Sequence, residues 1–420
     1  MITVALIGAG RRGREVYGRY IKNHCLNTRI IAVAEPNFFK RKQASIEHNI
    51  SIRKQFKSYE KLLDKNRLAD AIMITTSDHH HYYPTIKGIE KGYKIILEKP
   101  IAPDFKQFKD IVIKAREHNN QILVTHPLRY TPFYRTIVDV INKGIIGEIK
   151  AIDHNEHIGY YHFVHSYVRG NWRNDCISAP LFLAKSSHDF DLLYWFLNRK
   201  CLEVFAGGRK TYFNKENHPD DAGENCLDCK AEPNCPYSAR HIYLTDDLPW
   251  PKDIIEEMPS KYFRKVGVRF TGLGKCVYLC DNTMPEFLTA SLLFEDDIRV
   301  NFTITGLSKE MTRITNIFGT KGEIRADFAR NKIWINPYRG KENIISPSVE
   351  RGGHGGGDFI MIKEFDKFLG ELESDKNKNL TTLELSIESH LAAFAAEKSR
   401  KENRPVSLSS LRNELSLSPH

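Results

Sequence analysis

The chain has 420 residues, 41% hydrophobic and 27% charged, which is ordinary for a soluble globular protein but too long for one compact core. These values exclude a disordered, collagen-like or coiled-coil chain, and no apolar run approaches the ~20 residues that span a bilayer. The net charge of +10 comes from scattered basic residues without a zinc-finger, RNP or basic-region pattern, so a phosphate-bearing small ligand is expected, with neither nucleic acid nor membrane as partner.

The N-terminal MITVALIGAG lacks a basic n-region and a small-residue cleavage site. It reads as a strand and a turn, not as a signal peptide, and a cytoplasmic location is expected. Short apolar runs at 2–7, 30–34, 69–75, 93–97 and 122–125 are bounded by turn residues, as strands buried on both faces should be. Helical patterns at 14–21, around Pro84, and at 105–118 lie between them. Repeated strand–helix–strand units predict a parallel, doubly wound α/β sheet over residues 1–125.

Beyond residue 125 the pattern changes. A helix is expected over 132–142, a strand over 147–158 and one apolar helix over 181–197. Strands follow at 203–213, 287–294 and 298–304, then closing helices at 358–369 and 383–400. Strands in succession without helices between them predict an α+β domain over 126–406, built on a mainly antiparallel sheet and interrupted by a Cys-rich insertion around 214–282. The Ser-rich segment 407–420 is expected to be a flexible tail.

Gly8-Ala9-Gly10-Arg11-Arg12-Gly13 is a G-x-G-x-x-G turn set between a predicted strand and a predicted helix. That context suits a dinucleotide pyrophosphate seated on a helix N-terminus. Glu35 ends the second strand, where a carboxylate receives ribose hydroxyls and repels a 2′-phosphate. NAD is therefore expected over NADP, a preference that Arg11, Lys40 and Arg41 would soften. Glu98-Lys99-Pro100 ends the fourth strand, the sheet edge at which ligands bind. A lysine there can hold a cofactor amide or steady a developing alkoxide.

Together with Thr75-Thr76-Ser77-Asp78 and His81, His126-Pro127-Leu128-Arg129-Tyr130, and Gly144-Ile145-Ile146-Gly147-Glu148-Ile149, these motifs resemble the Gfo/Idh/MocA family of oxidoreductases. The resemblance implies a Rossmann domain followed by an open-faced α+β domain, a nicotinamide cofactor, and chemistry at hydroxyl groups of sugars or cyclitols. It also implies a homo-oligomer, dimer or tetramer, and Lys99 as the catalytic-site lysine. Thr75, Thr76, His81 and Glu98 are expected beside the cofactor. The family's Asp-x-x-x-His motif, with a further Asp three residues on, is met here by His188 and Asp191, but Ala184 stands where the first Asp belongs.

Lys185, His188 and Asp191 recur at i, i+3 and i+6, close to one helix face, so a relay is expected with His188 as base. Asp191 would orient its ring and Lys185 would bias it. His126, Arg129, Tyr161, His162, His165, Arg169, Trp172 and His354 are the expected substrate contacts, since such groups stack on sugar faces and bind hydroxyls or carboxylates. The polar and aromatic stretch 157–173, with Ala184-Lys185-Ser186-Ser187-His188, resembles a bacterial subgroup of the family. Net oxidoreduction is the first reading. The missing Asp keeps a redox-assisted glycoside hydrolase or lyase as an alternative, and a non-catalytic cofactor-sensing protein is a third.

Five of the eight cysteines crowd into the insertion. Cys226, Cys229 and Cys235 form C-x2-C-x5-C, a spacing that favours metal over disulfide. A structural zinc is expected, with Cys280 as fourth ligand and Cys276 or His218 as alternatives. An iron–sulfur cluster is the second choice of metal, and free thiols are the alternative to any metal.

Overall fold

The computed structural model describes residues 1–245, 260–350, 352–370 and 380–416. Residues 246–259 of the insertion and 417–420 of the C-terminal segment lie outside the described residues.

The N-terminal sheet comprises β1 (Ile2–Ile7), β2 (Thr28–Ala34), β3 (Gln55–Phe56), β4 (Ala71–Ile74), β5 (Lys94–Leu97) and β6 (Ile122–Val124). Their order is β3-β2-β1-β4-β5-β6, all parallel. β4 is apolar throughout, and β1 is apolar from Val4 to Ile7, because helices cover both faces of the sheet. The order reverses at β1, so the crevice beyond the β1 and β4 C-termini is where a ligand sits in such a fold.

The second sheet contains β7 (Ile149–His157), β8 (Cys201–Gly207), β9 (Phe287–Phe294), β10 (Arg299–Thr305), β11 (Thr312–Gly319), β12 (Gly322–Asp327), β13 (Lys332–Pro337), β14 (Asn343–Ile345) and β15 (Val406–Ser407). The order is β14-β13-β12-β11-β7-β10-β9-β8-β15, antiparallel except for the β7–β10 pair. On β10, Val300, Phe302 and Ile304 face the core, where the helices Ser187–Leu197 and Leu383–Glu402 pack. Arg299 and Asn301 face outward with Phe287, Thr289 and Ser291 of β9, and this side of the sheet carries no helix among the described residues.

Three expectations require correction. The strand expected over 203–213 ends at Gly207, because the amides of Thr211, Tyr212 and Phe213 turn inward to the buried Glu286 carboxylate at 2.8, 3.1 and 2.9 Å. The single helix expected over 181–197 is two, Leu181–Ala184 and Ser187–Leu197. The C-terminal segment is ordered up to residue 416. β15 pairs with β8, and the helix Ser409–Ser416 buries Leu411 and Leu415. Its serines mask two apolar anchors four residues apart.

Candidate active site

At the nucleotide end, Gly8 has a φ of 91°, and a Cβ there would stand 2.8 Å from the Thr75 carbonyl oxygen. A Cβ on Gly13 would meet Gly8 O and Thr75 Oγ1 at 2.3 Å, whereas one on Gly10 would meet nothing within 4 Å. Gly13 thus seats the π-helix Arg11–Gly18 on the sheet, and Gly10 leaves the open approach that a pyrophosphate needs. Glu35 lies against this loop and accepts hydrogen bonds from the amides of Ala9 (2.8 Å) and Asn37 (2.9 Å).

Several expected cofactor residues instead brace the turn from within. Thr75 Oγ1 donates to Gly8 O at 2.7 Å and Thr76 Oγ1 to His80 O at 3.1 Å. The fully buried His81 ring lies between the carbonyls of Pro100 (2.7 Å) and Thr76 (3.2 Å). Arg12 is an ion-pair hub. Its Nε meets Glu98 at 3.0 Å, and its two terminal nitrogens grip Asp358 at 2.9 and 2.7 Å. Glu98 also accepts from Tyr17 OH (2.6 Å) and Thr125 Oγ1 (2.7 Å). Arg11 is exposed on the loop.

At the reacting end, the Lys99 ammonium donates to the Ala184 carbonyl at 2.5 Å, so a backbone oxygen meets it where the family's first Asp would stand. Burial lowers the Lys99 pKa, and the charges of Asp78 and Glu98 oppose that shift. His188 is 4% exposed, and its Nδ1 has no hydrogen-bond partner. Burial, then the neighbouring Lys99, holds its pKa well below the ordinary imidazole range. Its ring centroid is 5.3 Å from that of His354 and 5.9 Å from that of His126, both of whose nitrogens lack partners. A buried polar atom without a partner calls for an explanation, and three such nitrogens lie on the His126 and His188 rings, which both feel the Lys99 charge.

The expected relay is reorganised. Asp191 does not orient His188. It is held by Arg129 in a two-point pair at 2.6 and 2.7 Å, with His126 Nδ1 at 3.9 Å. Lys185 sits in the break between the two helices and reaches Glu156 at 2.9 Å. Glu156 is wholly buried and requires cations, so Lys185 and Arg313 (2.7 Å) are drawn to it. Arg313 also binds Asp189 (2.6 Å), which His154 contacts at 3.0 Å. This buried network beneath His188 escaped the sequence reading. So did the buried Asp78, which receives the Trp172 indole N–H at 3.4 Å and the Ala179 amide at 3.2 Å.

His162 and His165 ride on the helical turns Tyr160–Phe163 and Val164–Arg169. His162 lies among Lys185, His165 and His354 and is pushed well down by burial. The His165 Nδ1 is 2.9 Å from Tyr243 OH, and burial, helped by Arg169, lowers its pKa to about 4. Tyr161 is buried edge-on to Tyr160, and His354 Nδ1 contacts Asp358 at 3.1 Å. Arg169 departs from the expected substrate surface. Its guanidinium turns into the insertion, to Lys275 O (2.8 Å), Tyr237 O (2.9 Å) and Cys226 Sγ (3.4 Å).

The zinc site expected from Cys226, Cys229, Cys235 and Cys280 is not assembled. Among the described residues no three His, Cys, Asp or Glu side chains come close enough to hold one metal ion. The Cys280 thiol points at the Cys276 carbonyl, 3.3 Å away.

Residues 2–126 match the family model described as the NAD-binding Rossmann fold of an oxidoreductase family, and residues 138–408 match its C-terminal alpha/beta domain. The chain belongs to the Gfo/Idh/MocA oxidoreductase family. It is thus an NAD-binding oxidoreductase. YteT of Bacillus subtilis, described as an oxidoreductase, is 25% identical over 81% of this chain and 82% of its own length. An inositol 2-dehydrogenase of Corynebacterium glutamicum is 23% identical over 50% of this chain and 58% of that protein. The fold matches that of scyllo-inositol dehydrogenase from Lactobacillus casei, solved with NAD(H) and scyllo-inositol. The TM-score is 0.66 at 17% identity, covering 97% of this chain and 99% of that one. No helix among the described residues is long and apolar enough to cross a membrane.

Proposed function

We propose that this protein transfers hydride between NAD and a hydroxyl of a sugar, cyclitol or sugar derivative, with His188 as the proton acceptor. The observation that carries this reading is the convergence of Lys99 with the buried, unpaired His188 imidazole at the C-terminal edge of the Rossmann sheet. The inositol dehydrogenase relatives support the substrate class. When bound, the nicotinamide supplies the hydride chemistry. Gly8, Gly10 and Gly13 would receive the cofactor's pyrophosphate and Glu35 its adenosine ribose, where a carboxylate favours NAD over NADP.

An alcohol carbon releases hydride only as its hydroxyl proton departs. A neutral His188 takes that proton, while Lys99 donates a hydrogen bond to the oxygen and steadies its growing negative charge. His126, His162 and His354 surround the same position with hydrogen-bonding groups for neighbouring hydroxyls. Ala184 favours a second reading, transient oxidation followed by elimination, because no carboxylate among the described residues bonds the His188 Nδ1.

His188→Gln is expected to lower kcat by ~10²–10⁴ while NAD affinity stays within a few-fold. Single-turnover NADH formation with a panel of sugars and cyclitols measures this. Wild-type rates in the variant would remove His188 as the base. Cleavage of aryl glycosides without net NADH would favour the second reading.

A further inference from the structure

Cys226, Cys229, Cys235 and Cys276 line one cavity of about 370 Å³ in the insertion. Cys280 does not line it. The four cysteines sit near enough to one another for their charges to interact. Two loops bring them together. Cys226 N bonds Gly274 O, and Cys276 N bonds Glu224 O, both at 2.8 Å, so residues 224–226 and 274–276 run side by side.

The two kinds of thiolate site differ in how far apart their sulfurs stand. Thiolates on one tetrahedral zinc, with Zn–S near 2.3 Å, must approach one another to about 3.8 Å. No three ligand side chains do so among the described residues. In a cubane cluster each thiolate binds a different iron corner, so the four stand farther apart around a space that the inorganic core fills. A cavity walled by four cysteines has that form.

The surroundings agree. The Gly223 amide donates to Cys229 Sγ at 3.2 Å, and the amides of Tyr237 and Tyr278 face the sulfurs of Cys235 and Cys276. N–H···S bonds of this kind stabilise cluster thiolates. Arg169 also lines the cavity. It is 5% exposed, its Nη2 touches Cys226 Sγ, and its Nη1 has no hydrogen-bond partner. Its hydrogen bonds go to carbonyl oxygens and a thiol, which do not neutralise its charge, whereas a thiolate-bound cluster carries the negative charge that would balance it.

We propose that Cys226, Cys229, Cys235 and Cys276 ligate a [4Fe–4S] cluster, with Arg169 as its buried counter-charge. The cluster fixes the insertion against the helical turn Val164–Arg169, which also carries His165 at the candidate active site.

The test uses the full-length protein, purified without oxygen and reconstituted with sulfide and equal amounts of ferrous and ferric iron, which supply the two Fe(II) and two Fe(III) of a [4Fe–4S]2+ core. About four iron and four acid-labile sulfide per chain are expected, with a broad visible absorption that dithionite bleaches. Cys276→Ser should lose iron and sulfide together, and Cys280→Ser should keep both. NAD binding by each variant reports that the Rossmann sheet is still folded. One zinc per chain without sulfide, two irons per chain, or no bound metal would each overturn the proposal. Retention of the full cluster by Cys276→Ser would overturn the ligand set.

Discussion

His188 is useful because it is neutral. Burial and Lys99 both lower its pKa, so the proton-accepting form persists well below pH 6.5. The rate of alcohol oxidation should therefore stay level as pH falls from 8 towards 6.5, then decline only as pH passes the lowered value. Lys99→Met removes the nearby cation, so the same decline should begin at higher pH, on top of a lower plateau. A pH series of single-turnover rates for both proteins measures this, and an unmoved limb would mean that another group titrates. Glu35 supports a second prediction. Its carboxylate faces the glycine-rich loop, so Glu35→Ser should narrow the preference for NAD over NADP, read by calorimetry. Tighter NADP binding by the wild type would contradict the assignment. Glu35 and Lys99 were legible in the sequence because their place at strand ends fixes their surroundings. The partner of Asp191 was not, since Arg129 lies 62 residues away and only the folded chain brings the two together.

Among the elements, β10 was readable from its alternation, while β11 was not. On β11 the core-facing positions hold Arg313, Thr315 and Ile317, and the outward ones hold Ile314 and Phe318. Polar groups serving Asp189 and His154 thus occupy the face where an apolar stripe is sought. The break after Ala184 was hidden for a different reason: it falls in the polar stretch Lys185-Ser186-Ser187-His188-Asp189, which has no Gly or Pro to mark a stop, and there Lys185 reaches the buried Glu156. In the first turn of the helix Gly357–Gly370, the Asp358 carboxylate clasps Arg12 of the glycine-rich turn. Its side chain is fully buried, and Arg12 with His354 holds its pKa far below the usual carboxylate range. Asp358→Ala should therefore cost ~1–3 kcal/mol, because Arg12 would lose one of its two carboxylate partners and keep Glu98. Urea unfolding of both proteins at pH 7 measures the difference, and a loss within experimental scatter would show the pair to be incidental. Since the folded pKa is depressed, the pair stabilises above ~4 and its benefit fades as pH falls further, so the two urea midpoints should converge in acid.

For the whole molecule, the nine-stranded sheet has one face covered by helices and one that presents Phe205 and Phe287 at 47% and 49% exposure. Aromatic side chains on a sheet face that carries no helix among the described residues suit contact with a second copy of the chain. A dimer or tetramer is expected by light scattering, and the double variant Phe205→Glu, Phe287→Glu should shift it towards monomer. A monomeric wild type would refute this use of the face.

The Arg12–Asp358 clasp is one of several places where the chain, after building its second sheet, comes back to the first. Another is at residues 381 and 382, which bond beside Leu123 and Val124 along the outer side of β6 (Val124 N to Thr381 O, 2.7 Å). A strand edge left bare invites pairing with other chains, and here the protein covers that edge with its own later segment. During synthesis, the nucleotide-binding half must therefore wait for more than two hundred further residues to leave the ribosome before its border is sealed. A premature stop anywhere in that interval yields a chain with its cofactor turn intact and one adhesive flank. Such a product is suited to aggregation and to clearance by quality control, not to partial activity.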